Sequence, residues 1–113
     1  MSLENLSVAQ DSELRLGFYV PPFAVDCTPR GDVAIHVLQE PAHGAVSVVE
    51  TQDFAEGNRA STDPRAKCLT QKRRGYLVKY KPAKGYVGED VIVLDIIATN
   101  GFSVRRNITA HVR

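Results

Sequence analysis

The chain has 113 residues, enough for one hydrophobic core and too few for two. Hydrophobic residues make up 43% and charged residues 24%, with 8 Gly, 6 Pro and no Trp, a balance that excludes wholesale disorder, collagen and coiled coil. The longest apolar run, Val91 to Ala98, is broken by Asp95 and falls far short of the roughly 20 residues of a membrane helix. The net charge of +1 hides a division: residues 1–56 hold nine acids against two bases, and residues 57–84 hold nine bases against Asp63 alone. The basic segment either meets the acidic half within the fold or faces an anionic partner.

In chain order, residues 1–13 read as a flexible N-terminus or an expression remnant, without the basic start and apolar stretch of a signal peptide. A leader already removed from a mature secreted domain fits that reading. The single domain then spans 14–113. Leu14, Leu16, Phe18 and Val20 alternate with polar or small residues, the period of a half-buried strand, which Pro21-Pro22 ends. Val33, Ile35 and Val37 share the face of a second strand. Glu40 to Gly44 reads as the turn of a hairpin to a third strand, Ala45 to Glu50.

From Thr51 to Arg74 the pattern dissolves into a long basic loop, with a short strand expected near Cys68. Order returns at Gly75 to Pro82, where Lys79 and Lys81 on the outer face suit an exposed or edge strand. Val91 to Thr99, apolar on both faces except for Asp95, is the best central strand. Asn100-Gly101 predicts a type I′ hairpin into a last strand, with Val104, Ile108, Ala110 and Val112 pointing in and Arg105, Asn107, Thr109 and His111 pointing out. No segment has helical spacing. About seven short strands with frequent turns predict an all-β, antiparallel two-sheet sandwich.

Cys27 and Cys68 are the only thiols, and the three His, at 36, 43 and 111, are too scattered to complete a zinc site with them. Both cysteines lie in polar, turn-rich segments, which favours a disulfide over buried thiols, and a disulfide implies an oxidising compartment. Two N-x-S/T sequons, at Asn5 and Asn107, carry meaning only in a eukaryotic secretory pathway.

Pro41-Ala42-His43-Gly44-Ala45-Val46, then Tyr80-Lys81-Pro82 and Gly85-Tyr86-Val87-Gly88-Glu89-Asp90-Val91, resemble the bacterial Ig-like, cadherin-like modules, over roughly Val33 to Arg113. The arrangement looks closer to the small single-domain secreted type of Gram-negative bacteria than to tandem repeats. The resemblance implies an Ig-like sandwich in the periplasm or outside the cell, structural or adhesive in role, with no catalytic residues to carry over. Physically, Gly44 and Gly88 suit turns that need positive φ, and Asp90 suits a cap on the Gly85–Gly88 turn.

Among possible sites, no nucleophile signature, phosphate loop or metal set stands out, so no enzyme activity and no cofactor are expected. Glu89 and Asp90 are the candidate calcium ligands. Lys72, Arg73, Arg74 and Tyr76 form the leading contact surface, for a protein or an anionic envelope component. The alternative is a nucleic-acid-binding β domain using the basic segment 59–84, although the pI of about 7.8 is low for a dedicated binder. A monomer is expected.

Overall fold

The structure, a computed structural model, describes residues 2–113. It is a two-sheet all-β sandwich. Its strands are β1 (Ser2–Val8), β2 (Leu14–Tyr19), β3 (Val33–Gln39), β4 (Gly44–Phe54), β5 (Lys72–Pro82), β6 (Gly88–Ala98) and β7 (Ser103–Val112). One sheet runs β1-β7-β6-β3 and the other β2-β5-β4. All pairings are antiparallel except β1 with β7, which is parallel, so the first sheet is mixed. Among the described residues no helix is long and apolar enough to cross a membrane.

Alternation drives the core. The inward residues of β6 and β7, Ile92, Leu94, Ile96, Ile108 and Ala110, are buried against Val78 and Tyr80 of β5, as a period of two requires when one face of each sheet meets the other. The β6 strand is central, as its apolar character on both faces predicts.

Five expectations are corrected. Residues 2–8, read as part of a flexible tail, form β1: Leu6 and Val8 pack on the core, and Glu4 binds Arg106 through both carboxylate oxygens, at 2.6 and 2.7 Å. The Glu40–Gly44 segment is not a hairpin but a crossover, since β3 pairs with β6 and β4 with β5. The β5 strand is central rather than an edge; its lysines occupy the outer face, where Lys79 Nζ lies 3.0 Å from Glu13. The long loop is shorter than expected, because β4 extends to Phe54, β5 begins at Lys72, and Cys68 sits on a 3-10 helix, Pro64–Thr70, rather than a strand. In the β6–β7 turn only Gly101 has positive φ, with its N–H bonded to the Ala98 carbonyl at 3.1 Å. That is a three-residue turn with the glycine as bulge, not type I′.

Two motif residues also act differently than their motif suggests. Gly44 does not need positive φ; a Cβ there would lie 2.6 Å from the Lys81 carbonyl oxygen, so closeness of the chains selects glycine. Asp90 caps no turn of its own. Buried on β6, its carboxylate accepts the N–H groups of Ala42 at 2.8 Å and His43 at 3.1 Å, and the Tyr80 hydroxyl at 2.7 Å. It therefore joins β6, the crossover and β5 in one polar lock between the sheets. Burial, and then the bond to Asp90, push the Tyr80 pKa up.

Asp90→Ala leaves the buried Tyr80 hydroxyl and two half-buried N–H groups without their acceptor and is expected to cost roughly 2–4 kcal/mol in urea unfolding, with Tyr80→Phe costing roughly 1–3. The double variant is expected to cost less than the sum, because the two changes break one shared bond. Full additivity would show that the lock does not couple the sheets.

Candidate functional site

Antiparallel pairing brings three connections to one end of the sandwich: residues 20–32 between β2 and β3, 55–71 between β4 and β5, and 99–102 between β6 and β7. The first folds into a small hairpin of its own. Phe23 bridges Pro29, Ala24 N–H bonds to the Thr28 carbonyl at 3.0 Å, and Arg30 N–H bonds to Pro22 at 2.7 Å. Asp26 holds its tip by accepting from the Thr28 hydroxyl and N–H, bonds that keep the carboxyl below its ordinary pKa. Cys27 follows at φ +68°, in the left-handed region that non-glycine residues seldom occupy.

The second connection starts at Glu56, whose carboxylate accepts the Phe18 N–H at 3.2 Å. Its 3-10 helix is capped by Asp63, which accepts the Arg65 N–H at 2.8 Å and pairs with the Arg65 guanidinium at 3.2 Å. Those bonds hold Asp63 below the usual carboxylate range. Ala66, Cys68 and Leu69 are buried with Phe18 and Ala55 outside the main core. The two connections are then joined covalently: Cys27 and Cys68 form a disulfide with Cα atoms 5.5 Å apart, across a separation of 41 residues. The pairing expected from sequence is present.

The basic residues of early β5 enter this frame. Arg73 donates to the Cys27 carbonyl at 2.6 Å, with its guanidinium 4.3 Å from the centre of the Phe23 ring. Arg74 pairs with Glu50 at 2.7 Å and approaches the Tyr76 hydroxyl at 3.5 Å, contacts that raise the Arg74 pKa. Lys72 forms no ion pair among the described residues; its ammonium lies 6.0 Å from the centre of the Phe54 ring, over which Arg59 also sits at 5.2 Å. Lys72, Arg73 and Arg74 line one open cavity of about 280 Å³ with Pro21, Cys27, Pro29 and Gln71, and no carboxylate is in its wall. Tyr76 is not part of it. Half-buried, it packs against the main core, so the structure brings together three of the four residues singled out in the sequence.

A neighbouring cavity of about 340 Å³ draws on all three connections, through Phe23, Asp63, Arg65, Leu69 and Asn100. Sequence reasoning missed Phe23, which nothing local marks, and read Asn100 only as a turn residue. The proposed calcium ligands do not converge. Asp90 spends its carboxylate on three donors, Glu89 lies 3.6 Å from His111 on the outer face, and no group of three or more His, Cys, Asp or Glu side chains is present among the described residues. His43 stacks on Tyr86, with ring centres 4.2 Å apart, at the opposite end of the molecule. The amide nitrogen of the Asn107 sequon is shut from solvent.

Comparison with known proteins finds no matching family model, no significant match among curated proteins and none among solved structures.

Closing a loop of this length stabilises a fold by about 4 kcal/mol in the chain-entropy model. Replacing both cysteines by serine is therefore expected to lower unfolding stability by about that amount. Hydrogen exchange is expected to accelerate in residues 20–32 and 55–71 while β6 and β7 stay protected. Unchanged protection in 20–32 would show that the bridge does not order this end.

Proposed function

We propose that the protein is a noncatalytic, extracytoplasmic Ig-like binding or structural module, periplasmic or secreted, whose disulfide-tied loop end holds an anionic group of an envelope component. The observation that carries this is the cavity walled by Lys72, Arg73 and Arg74 with no acid among its lining. Cations gathered around a concave space attract anions, and guanidinium groups orient carboxylate, sulfate or phosphate oxygens. The wall otherwise supplies prolines, a glutamine and a bridged cysteine, which is chemistry for holding a ligand.

Two further observations support the reading. In the order of the sheets, β2-β5-β4 against β1-β7-β6-β3, the second to seventh strands divide as they do in Ig-type sandwiches, with the loops clustered at the two ends, while β1 joins the opposite sheet. The disulfide fits an oxidising compartment. A nucleic-acid interface draws less support: Tyr76, the aromatic expected beside the cations, packs on the core, and the exposed ring of Phe54 already lies under Arg59 and Lys72 rather than open for a base to stack on.

The test uses Lys72→Ser with Arg74→Ser, leaving Arg73 because its bond to Cys27 supports the fold. Calorimetric titration of the wild-type chain with a sulfated polysaccharide is expected to show binding that weakens steeply with salt. The double variant is expected to lose at least tenfold in affinity with its melting temperature unchanged. Equal binding by the variant, or preference for a single-stranded oligonucleotide at the same salt, would overturn the proposal.

A further inference from the structure

Four strands sit at sheet edges, and three are defended against adding another strand. On β2 a bulge interrupts the ladder between Arg15 and Gly17, Glu56 accepts the Phe18 N–H, and the Arg106 guanidinium caps the Leu16 carbonyl. On β3 a bulge falls between Val37 and Gln39, and Asp32 takes the Val33 N–H at 2.8 Å. On β1 the strand is only 7 residues long, and its Glu4 is clamped by Arg106. The β4 strand is the least defended: it runs for 11 residues without a bulge, contains no Lys or Pro, pairs its Glu50 with Arg74 of its own sheet, and leaves Val48 and Val49 exposed. Natural sheets rarely leave such an edge open.

The register shows which backbone groups face outward. His43 accepts the Ala83 N–H at 2.7 Å, and the next pair, Gly44 with Pro82, lacks a donor on the proline. Antiparallel ladders alternate bonded and non-bonded pairs, so the odd-numbered residues of β4 bond to β5. Gly44, Val46, Val48, Glu50 and Gln52 turn their N–H and carbonyl groups to the open side. Only the end is capped, where Asp53 accepts the Phe54 N–H.

We propose that β4 docks a second copy of this chain, the two strands pairing antiparallel about a two-fold axis at Val49 to give one continuous six-stranded sheet. In this register Val48 faces Glu50, Val46 faces Gln52, Ser47 faces Thr51, Ala45 faces Asp53, and Val49 faces its own copy. No like charges oppose each other, and Glu50 is already neutralised by Arg74 at 2.7 Å. Centring on Glu50 instead would stack two carboxylates, which disfavours that slip. On the outer face Val49 and its neighbour Leu77 continue across the axis as one apolar row. Because only one strand per copy is joined, the dimer is weak and closed, and its two loop ends point in opposite directions.

Sedimentation equilibrium of the intact chain from micromolar to millimolar concentration is expected to show the mass rising from 12.4 kDa toward twice that value. Val48→Pro removes an outward N–H without breaking a bond to β5, and Val49→Lys places two cations at the axis. Each is expected to hold the chain as a monomer; if the proline lowers the melting temperature, the lysine variant decides. Mild oxidation is expected to cross-link Val49→Cys into a covalent dimer and to leave Ser47→Cys uncross-linked, since only residue 49 meets its own copy at a separation a disulfide spans. A single 12.4 kDa species at every concentration, association that survives Val49→Lys, or equal cross-linking at both positions would overturn the proposal.

Discussion

The covalent link between Cys27 and Cys68 sets the loop end of this molecule. The connection from 55 to 71 buries little beyond Ala55, Ala66, Cys68 and Leu69, too little apolar surface to hold seventeen residues against their conformational entropy unaided. The bridge supplies the missing constraint by fixing the 3-10 helix to the small hairpin at 22–30. Arg73 can then reach the Cys27 carbonyl and lie over Phe23. The cavity wall draws Pro21, Cys27 and Pro29 from one connection and Gln71 to Arg74 from the other side of the bridge, so the bridge ties its two sides together.

The opposite half of the molecule works by different physics. There the sheets are held by apolar burial around Ile92, Leu94, Ile108 and Val78 and by the buried carboxylate of Asp90, whose acceptor capacity is matched by three donors. A buried polar group in that position is tolerable because its oxygens are hydrogen-bonded. The sandwich is thus rigid through its centre and carries its positive groups at the end that the disulfide organises. Such a division suits a binding module, in which the scaffold fixes position and the loops supply chemistry.

What the sequence revealed and what it hid follow from the range of the interactions. Period-two alternation exposed β2, β3, β5, β7 and the first half of β4, an apolar run exposed β6, and the polar settings of the two cysteines exposed their pairing. Whether the chain stays in one sheet or crosses to the other after Glu40 is not written locally, because a short turn serves either path. Lys79 and Lys81 suggested an edge only because a solvent-facing side of a central strand looks the same. β1 stayed hidden because its case rests on Arg106, 102 positions from Glu4. Asp90 was legible as a structural acid, but its partners Ala42 and His43 lie 48 and 47 positions away. At the candidate site the cations were visible and their convergence was not: the cavity is made by Pro21, Pro29 and the bridge as much as by the charges.

The most direct test is the thiol state of the protein in the cells that make it, trapped by alkylation at lysis and read by intact mass with and without reductant. Cys27 and Cys68 both protected until reduction is the predicted result, with the bridge formed where the protein resides. Two alkylated thiols before reduction would contradict it, removing both the oxidising compartment and the tether on which the loop end depends.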